Sequence, residues 1–494
     1  MPQATVLPLP SQVTPNFAAL PPLALYVHVP WCVRKCPYCD FNSHELRADP
    51  EPEYSDASLM KSLPPRSRPK AAPAGSRGAF NSNELRLGAE SGNESLDASS
   101  MKSLPPRSRP KAAPAGSRGA FNSLESRAPH PGPPYTIETG LADLDAELER
   151  RYVEALVVDL ESALPSVWGR TVHSIFIGGG TPSLLSAKSL DALLAAIRAR
   201  LRLEPDAEIT LEANPGTFEA RKFADFRAAG VNRLSIGIQS FNPAHLRALG
   251  RIHDDQQARR AVAIGQRHFA NFNLDLMYAL PGQSAAQAIE DLCVALEFDP
   301  PHLSAYHLTI EPNTYFHRYP PRLLPDEDVA ADMQAEIEQL LAGQGYRHYE
   351  TSAFSRPGSE ARHNLNYWTF GDYLGIGAGA HSKLSFANRV VREVRWKHPR
   401  EYLDQALAGT PRETVLEVAS ESLPFEFMMN ALRLTDGFEL RLFSERTGLP
   451  LTAVFAGLEA AQRGGFIERD HSSVWPTLRG QRFLNDLLQL FLPR

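Results

Sequence analysis

Three of the four cysteines stand at Cys32, Cys36 and Cys39, a C-x3-C-x2-C spacing inside YVHVPWCVRKCPYCDF, directly after an apolar run. Three thiolates at this spacing can hold three irons of a cubane [4Fe–4S] cluster and leave the fourth iron open to an outside ligand. The same residues also admit a zinc site or a chance grouping of buried cysteines. Zinc asks for a fourth Cys or His close by, but Asp40 and Phe41 follow Cys39, and His44 leads into sequence of another kind. The remaining cysteine, Cys293, occupies an apolar position of the helical pattern AIEDLCVALEF and is expected in the core.

Further polar residues end apolar runs. In SIFIGGGTPS, Gly178, Gly179 and Gly180 let backbone N–H and C=O groups approach a ligand closely. That suits an amino-acid moiety such as the methionine end of S-adenosylmethionine, although a tight strand-to-helix turn needs the same residues. TLEANPGT supplies Glu212, a carboxylate able to accept from a ribose hydroxyl or an ammonium group, or else a strand-end salt-bridge residue. Gln239 and Arg251 follow the next run, and taken alone read as solvated surface. Asp275, in the middle of FNLDLMYALPGQ, is costly to bury unless it faces a lined cavity or a partner.

The elements that must position these residues alternate regularly. Short β-branched or aromatic runs at Ala24–Val29, Ser174–Gly178, Glu208–Ala213, Arg233–Gly237, Asn273–Tyr278 and Ser304–Thr309 predict six strands. Helical patterns fall at Leu144–Leu164, Ser186–Leu201, Glu219–Ala229, Asp255–His268, Ala285–Glu297 and Asp326–Ala342. Strands joined by right-handed helical crossovers give a parallel sheet, so an α/β fold, with its active rim at the strand C-terminal ends. The segment 45–134 breaks this rhythm. It is rich in Pro, Ser, Gly, Ala and Arg, and MKSLPPRSRPKAAPAGSRGAFNS occurs unchanged at Met60–Ser82 and Met101–Ser123. It is expected to be disordered, either a solvated linker in a tolerant loop or, from its basic residues, a tail for an anionic partner. Toward the C-terminus, helices followed by the pair GFIER and SSVWPT predict a winged-helix-like domain; without a basic recognition helix, DNA binding has no support.

Bulk properties exclude other classes. A net charge of −6 over 494 residues gives no general attraction to nucleic acid or anionic membrane. Four cysteines are too few for a disulfide framework, and their clustering points to a metal site in a reducing compartment. The N-terminus lacks the basic and apolar regions of a signal peptide, and no apolar run of about 18 residues is present, so a cytoplasmic protein without transmembrane segments is expected.

Together YVHVPWCVRKCPYCDFNSH, FIGGGTPS, LEANPGT, RLSIGIQSF and DLMYALPGQ resemble the radical SAM family that contains the oxygen-independent coproporphyrinogen III dehydrogenases and their relatives the HemW heme chaperones. Apart from the insert, the resemblance runs from Leu23 to the C-terminus. It implies a [4Fe–4S] cluster on Cys32, Cys36 and Cys39, with a first S-adenosylmethionine contacted by Tyr26, Gly179 and Glu212. It also implies that Tyr38, Gly180, Thr181, Gln239, Arg251 and Asp275 correspond to the dehydrogenase's second S-adenosylmethionine site. Two departures point to the chaperone side: Phe41 stands where the dehydrogenases have a further cysteine, and only about two dozen residues precede Tyr26.

ARHNLNYW, with His363, Asn364, Tyr367 and Trp368, is similar to the HNxxYW signature linked in that group to heme binding. A His can ligate heme iron and the aromatic rings offer flat apolar surface, though a packed His and aromatic cluster has the same composition. The glycines of YLGIGAGAHS could set backbone against a cofactor or allow close packing of a strand. The expected layout is an N-terminal arm (1–22), a partial (β/α)6 radical SAM barrel (23–44 and 135–320), the insert (45–134), a barrel-associated extension (321–385) and a winged-helix-like domain (386–494). The implied function is a heme chaperone for client apo-hemoproteins, membrane hemoproteins included through peripheral contact. The alternative is anaerobic decarboxylation of coproporphyrinogen III propionates.

Overall fold

The cysteine-bearing loop is carried by the first strand of a long, mainly parallel sheet. The computed structural model describes residues 14–46, 144–217 and 220–493, so the expected insert lies outside the described residues except for Glu45 and Leu46. Twelve strands form the sheet: β1 (Leu23–Val29), β2 (Thr171–Gly179), β3 (Arg202–Ala213), β4 (Arg233–Gln239), β5 (Asn271–Tyr278), β6 (His302–His307), β7 (Arg347–Glu350), β8 (Ala353–Ser355), β9 (Asp372–Ile376), β10 (His381–Phe386), β11 (Arg389–Arg395) and β12 (Arg412–Glu417). Their order is β12-β11-β10-β9-β1-β2-β3-β4-β5-β6-β8-β7. β1 to β6 run parallel in sequence order, the partial (β/α)6 barrel, and β9 adds a parallel neighbour beyond β1. Among the described residues the sheet does not close.

Helices fall where the 3.6-residue pattern predicts them, with ends moved by up to three residues. Ala146–Val167, Ala187–Arg200, Ala220–Ala229, Asp255–His268 and Ala285–Leu296 cover one face of the sheet. Asp254 with Gln257 and Ser284 with Gln287 form capping boxes, satisfying N–H groups that each helix start leaves open. The core lies between, with Leu156, Ile175, Ile177, Leu193 and Leu211 almost without exposure.

Three expectations change. Cys293 is exposed rather than in the core, since its helix buries the face bearing Asp291, Leu292 and Ala295. β6 ends at His307, short of Thr309. Residues 389–417, assigned by sequence to the C-terminal domain, instead extend the sheet as β11 and β12. Their strand character is masked by charge: Arg392 pairs with Glu426, and Arg395 with Asp159 and Glu393, all buried. The chain then forms helices Leu423–Ala431, Leu440–Thr447 and Phe455–Arg463 with a three-stranded sheet of Phe438–Glu439, Ser473–Pro476 and Ile467–Arg469, a winged-helix-like arrangement around Phe427, Phe443, Leu458 and Val474.

Candidate functional site

The cysteine loop is folded onto the C-terminal ends of the parallel strands by backbone bonds. Gly180 and Thr181 donate N–H to Val29 and Trp31, while His44 and Leu46 donate to Pro30 and Cys32. Gly180 is required here, because a Cβ on it would stand 2.5 Å from the Trp31 carbonyl oxygen. Thr181 Oγ1 donates to Cys32 Sγ at 3.6 Å, Arg251 Nη1 donates to Cys36 Sγ at 3.5 Å, and Ser43 Oγ lies 3.7 Å from Cys39 Sγ. Burial pushes the Cys39 thiol up to about 12 and raises Cys32 as well, so iron rather than a free thiolate is the natural replacement for the proton. Among the described residues no three His, Cys, Asp or Glu side chains converge on a single metal ion. A cubane presents a separate iron to each thiolate, so the donor set fits the cluster better than zinc.

A cavity of about 260 Å³ opens beneath the loop. Cys32, Cys36, Cys39, Tyr38, Gly179, Gly180, Thr181, Glu212, Gln239, Arg251, Asp275 and His363 all line it, as do Asn364 and Trp368, whereas Tyr26, Gly178, Tyr367 and the glycines of YLGIGAGAHS do not. Tyr26 stacks on Phe176 with ring centroids 5.8 Å apart, and its hydroxyl bonds His28 Nδ1 at 2.7 Å. Arg251 also reaches Asn214 Oδ1 and the Gly237 carbonyl, tying β3 and β4 to Cys36. Gln239 takes a left-handed φ of 68° at the strand end, a strained backbone setting that turns the chain at the cavity lip. Glu212 accepts the Gly179 N–H at 2.9 Å, yet burial, aided by the nearby Asp275 charge, lifts its carboxyl to about 8. A buried carboxyl beside exposed backbone can receive a cationic ligand group such as the ammonium of an amino acid, whose charge would favour its ionised form.

The inner end holds residues that the sequence reading passed over. Glu208 accepts from His363 Nδ1 at 3.1 Å and from the backbone N–H groups of Arg362 and His363, capping helix Arg362–Trp368 from another strand. Burial opposes its ionisation but is outweighed by His363 and Arg233, which hold it at about 2. Burial lowers His363, leaving it neutral, with Nδ1 as donor and Nε2 free of any hydrogen bond among the described residues. A directed chain of bonds crosses the floor: Tyr349 OH to His302 Nε2, His302 Nδ1 to Asn273 Oδ1, and Asn273 Nδ2 to Asp275 Oδ1. Arg433 enters from the C-terminal domain, lies over the Trp368 ring at 4.3 Å and faces Glu350 Oε2 at 3.8 Å. Trp368 lines the cavity with one ring face taken by Arg433, whereas Tyr367 packs edge-on against Tyr373 and does not line it. Glu208 and Arg233 entered the sequence reading only as the first residues of two expected strands; the rule that marked Asp275, a charge beside an apolar run, applies to both.

Known proteins bear on the same site. Residues 146–292 match the Radical SAM superfamily and residues 418–483 the HemN C-terminal domain; the first match begins past the insert and does not include the cysteines. The chain is 39% identical to the heme chaperone HemW of Escherichia coli K12 over 96% of its length and 99% of that protein. It is also 39% identical to the heme chaperone HemW of Haemophilus influenzae over 96% of its length and 98% of that protein. Among solved structures it resembles coproporphyrinogen III oxidase (HemN) from Escherichia coli, described as a radical SAM enzyme, with a TM-score of 0.65, 18% identity and coverage of 96% and 90% of the two chains. That likeness concerns the fold.

Proposed function

The chain belongs to the heme chaperone HemW family of radical SAM proteins, and we propose that it binds heme and passes it to client apo-hemoproteins, with a [4Fe–4S] cluster and S-adenosylmethionine as its cofactors. The observation that carries this reading is the 39% identity to a curated heme chaperone over 96% of the chain. Cys32, Cys36 and Cys39 would hold the cluster, and when bound it supplies one-electron chemistry at its open iron. Gly179, Gly180 and Glu212 would hold S-adenosylmethionine, with Tyr26 fixing Phe176 and His28 behind them. Arg251 steadies Cys36, and Thr181 steadies Cys32.

For heme we assign the iron to His363. Its Nδ1 hydrogen is committed to Glu208, the usual way a protein sets the other ring nitrogen as a metal ligand. At about 260 Å³ the cavity is below the roughly 300 Å³ of the smaller ligand pockets, so a macrocycle enters only as the lining parts. The clients include membrane hemoproteins met by peripheral contact, in the cytoplasm; no described helix is long and apolar enough to cross a membrane.

One observation favours a second reading. Tyr38, Gly180, Thr181, Gln239, Arg251 and Asp275 gather around one cavity, as a coproporphyrinogen III dehydrogenase with two S-adenosylmethionine sites would require. Anaerobically reconstituted protein should take up heme and pass it to an apo-hemoprotein, and should not convert coproporphyrinogen III when given reductant and excess S-adenosylmethionine. Multiple-turnover appearance of protoporphyrinogen IX would establish the dehydrogenase instead.

A further inference from the structure

Arg233 opens β4 at the inner end of the cavity and is only 2% exposed. Its guanidinium lines the cavity, yet Nε has no hydrogen-bond partner and no side chain or backbone group among the described residues accepts from it. The nearest acid, Glu208, approaches Nε no closer than 3.9 Å, and its other oxygen is occupied by His363 and the helix start. Asp275 is held by Asn273 and Ser235 rather than by Arg233. Arg233 therefore has countercharges in its neighbourhood but no acceptor for its donors. A buried guanidinium donor without an acceptor is costly unless a ligand supplies one.

We infer that the floor of the cavity is a receptor for a carboxylate, with Arg233 as the group that binds it. The planar guanidinium fork matches two carboxylate oxygens, a geometry that neither an ammonium nor a neutral carbonyl reproduces. Ser304, Tyr306 and Asn364 line the same end, and Arg433 adds a second cation across the floor. Two ligands proposed above carry a carboxylate: heme, through its propionates, and S-adenosylmethionine, through its amino-acid end. Position decides between them. Glu212, the proposed partner of the S-adenosylmethionine ammonium, stands in register with Ser235, roughly 7 Å along β4 from Arg233 at 3.3 Å per residue, and is hydrogen-bonded to Gly179 rather than to Arg233 or Glu208. His363, by contrast, shares Glu208 with Arg233. The carboxylate is a porphyrin propionate, an assignment that rests on the heme-chaperone reading.

The test compares affinities of the full-length, cluster-reconstituted protein for heme and heme dimethyl ester, and for S-adenosylmethionine and its decarboxylated analogue. Wild type should bind heme at least about tenfold more tightly than the diester, the scale of one charge-assisted hydrogen bond. Arg233→Gln should lose that difference by weakening heme alone, and Arg233→Lys should keep part of it. Cluster absorbance and melting temperature serve as the check on folding; if the Gln variant does not fold, the Lys variant carries the comparison. A variant that distinguishes heme from its diester as wild type does overturns the inference. If Arg233→Gln instead erases only the preference for S-adenosylmethionine over its decarboxylated analogue, the propionate assignment is overturned. Wild-type protein that binds heme and diester equally sinks this inference and leaves the chaperone reading standing, whereas wild-type protein that binds no heme sinks the reading itself.

Discussion

His363 donates its Nδ1 hydrogen to Glu208 Oε1 across 3.1 Å, joining the start of a short helix to a strand 155 positions earlier in the chain. The same carboxylate takes two backbone N–H groups of that helix, so one acid fixes both the tautomer of His363 and the place of the HNLNYW segment. Stacking of the imidazole on Phe176, with ring centroids 4.2 Å apart and planes within 9°, completes the hold. His363 consequently has a structural duty and, through Nε2, an available ligand atom.

The two duties separate by substitution. His363→Ala leaves buried Glu208 without its partner and should cost about 2–4 kcal/mol of stability as well as heme affinity. His363→Gln can keep a donor toward Glu208 but offers no imidazole to iron. It should therefore melt closer to wild type, retain the cluster, and still lose most heme affinity. Unchanged heme absorbance and affinity in the Gln variant would remove His363 as the iron ligand and leave only its packing role.

Cys36→Ala should abolish the cluster's visible absorbance and the S-adenosylmethionine-perturbed EPR signal. Cys293→Ala should leave both intact, now for a different reason from the one the sequence offered: Cys293 is exposed on its helix and not part of the core. A Cys293 variant that reconstitutes poorly would mean that the ligand set is misassigned.

The outer half of the cavity was legible in the sequence because its residues stand at strand C-terminal ends, where glycine runs and a lone acid break the apolar pattern. Cys32, Gly180 and Glu212 carry such a signal, Asp275 stands out as a charge within an apolar strand, and all four line one cavity with Gln239, which taken alone read as solvated surface. The inner half was not. Arg233 and His302 begin their strands, where a polar residue ordinarily meets solvent, and only the helix and C-terminal domain packed across the open end turn those positions inward. Tyr26, which the resemblance alone singled out, lies behind Phe176 and His28 rather than on the cavity wall. β11 and β12 stayed hidden because Arg392, Glu393 and Arg395 are buried as pairs, which period-two hydrophobicity does not register.

Gly180→Ala tests whether the cysteine loop depends on close backbone approach. The added Cβ would meet Trp31 oxygen at 2.5 Å and Trp31 carbon at 2.8 Å, both backbone atoms that cannot swing aside. The short strand bearing Cys32 must move, so cluster content should fall severalfold while the far C-terminal core still melts cooperatively. Gly343→Ala, with nothing within 4 Å of its Cβ, is the control and should match wild type. Equal cluster content in both variants would show that the loop tolerates displacement.

The Glu212 carboxyl sets a pH dependence whose sign can be worked out. Its folded value of about 8 lies above the ordinary 4.5, chiefly because burial penalises the charged form and Asp275 adds repulsion. Between those values the folded protein keeps a proton that the unfolded chain has released, so stability declines as pH rises from about 4.5 to about 8 and is level above. The effect is on the order of a few kcal/mol at most, because a tenfold change in proton affinity corresponds to about 1.4 kcal/mol. Glu212→Gln should flatten the fall in melting temperature across this window and be the more stable protein at pH 8. The same substitution has the opposite effect on a cationic ligand. An ammonium arriving near Glu212 favours the ionised carboxylate, so S-adenosylmethionine binding at pH 7 should release close to one proton in wild type and almost none in Glu212→Gln, with weaker affinity. Calorimetric titration in two buffers of different ionisation enthalpy reads that release directly. Buffer-independent heats in wild type, or the same pH slope of melting in both proteins, would show that Glu212 is already ionised in the folded state and that the cavity does not hold it protonated for a cation.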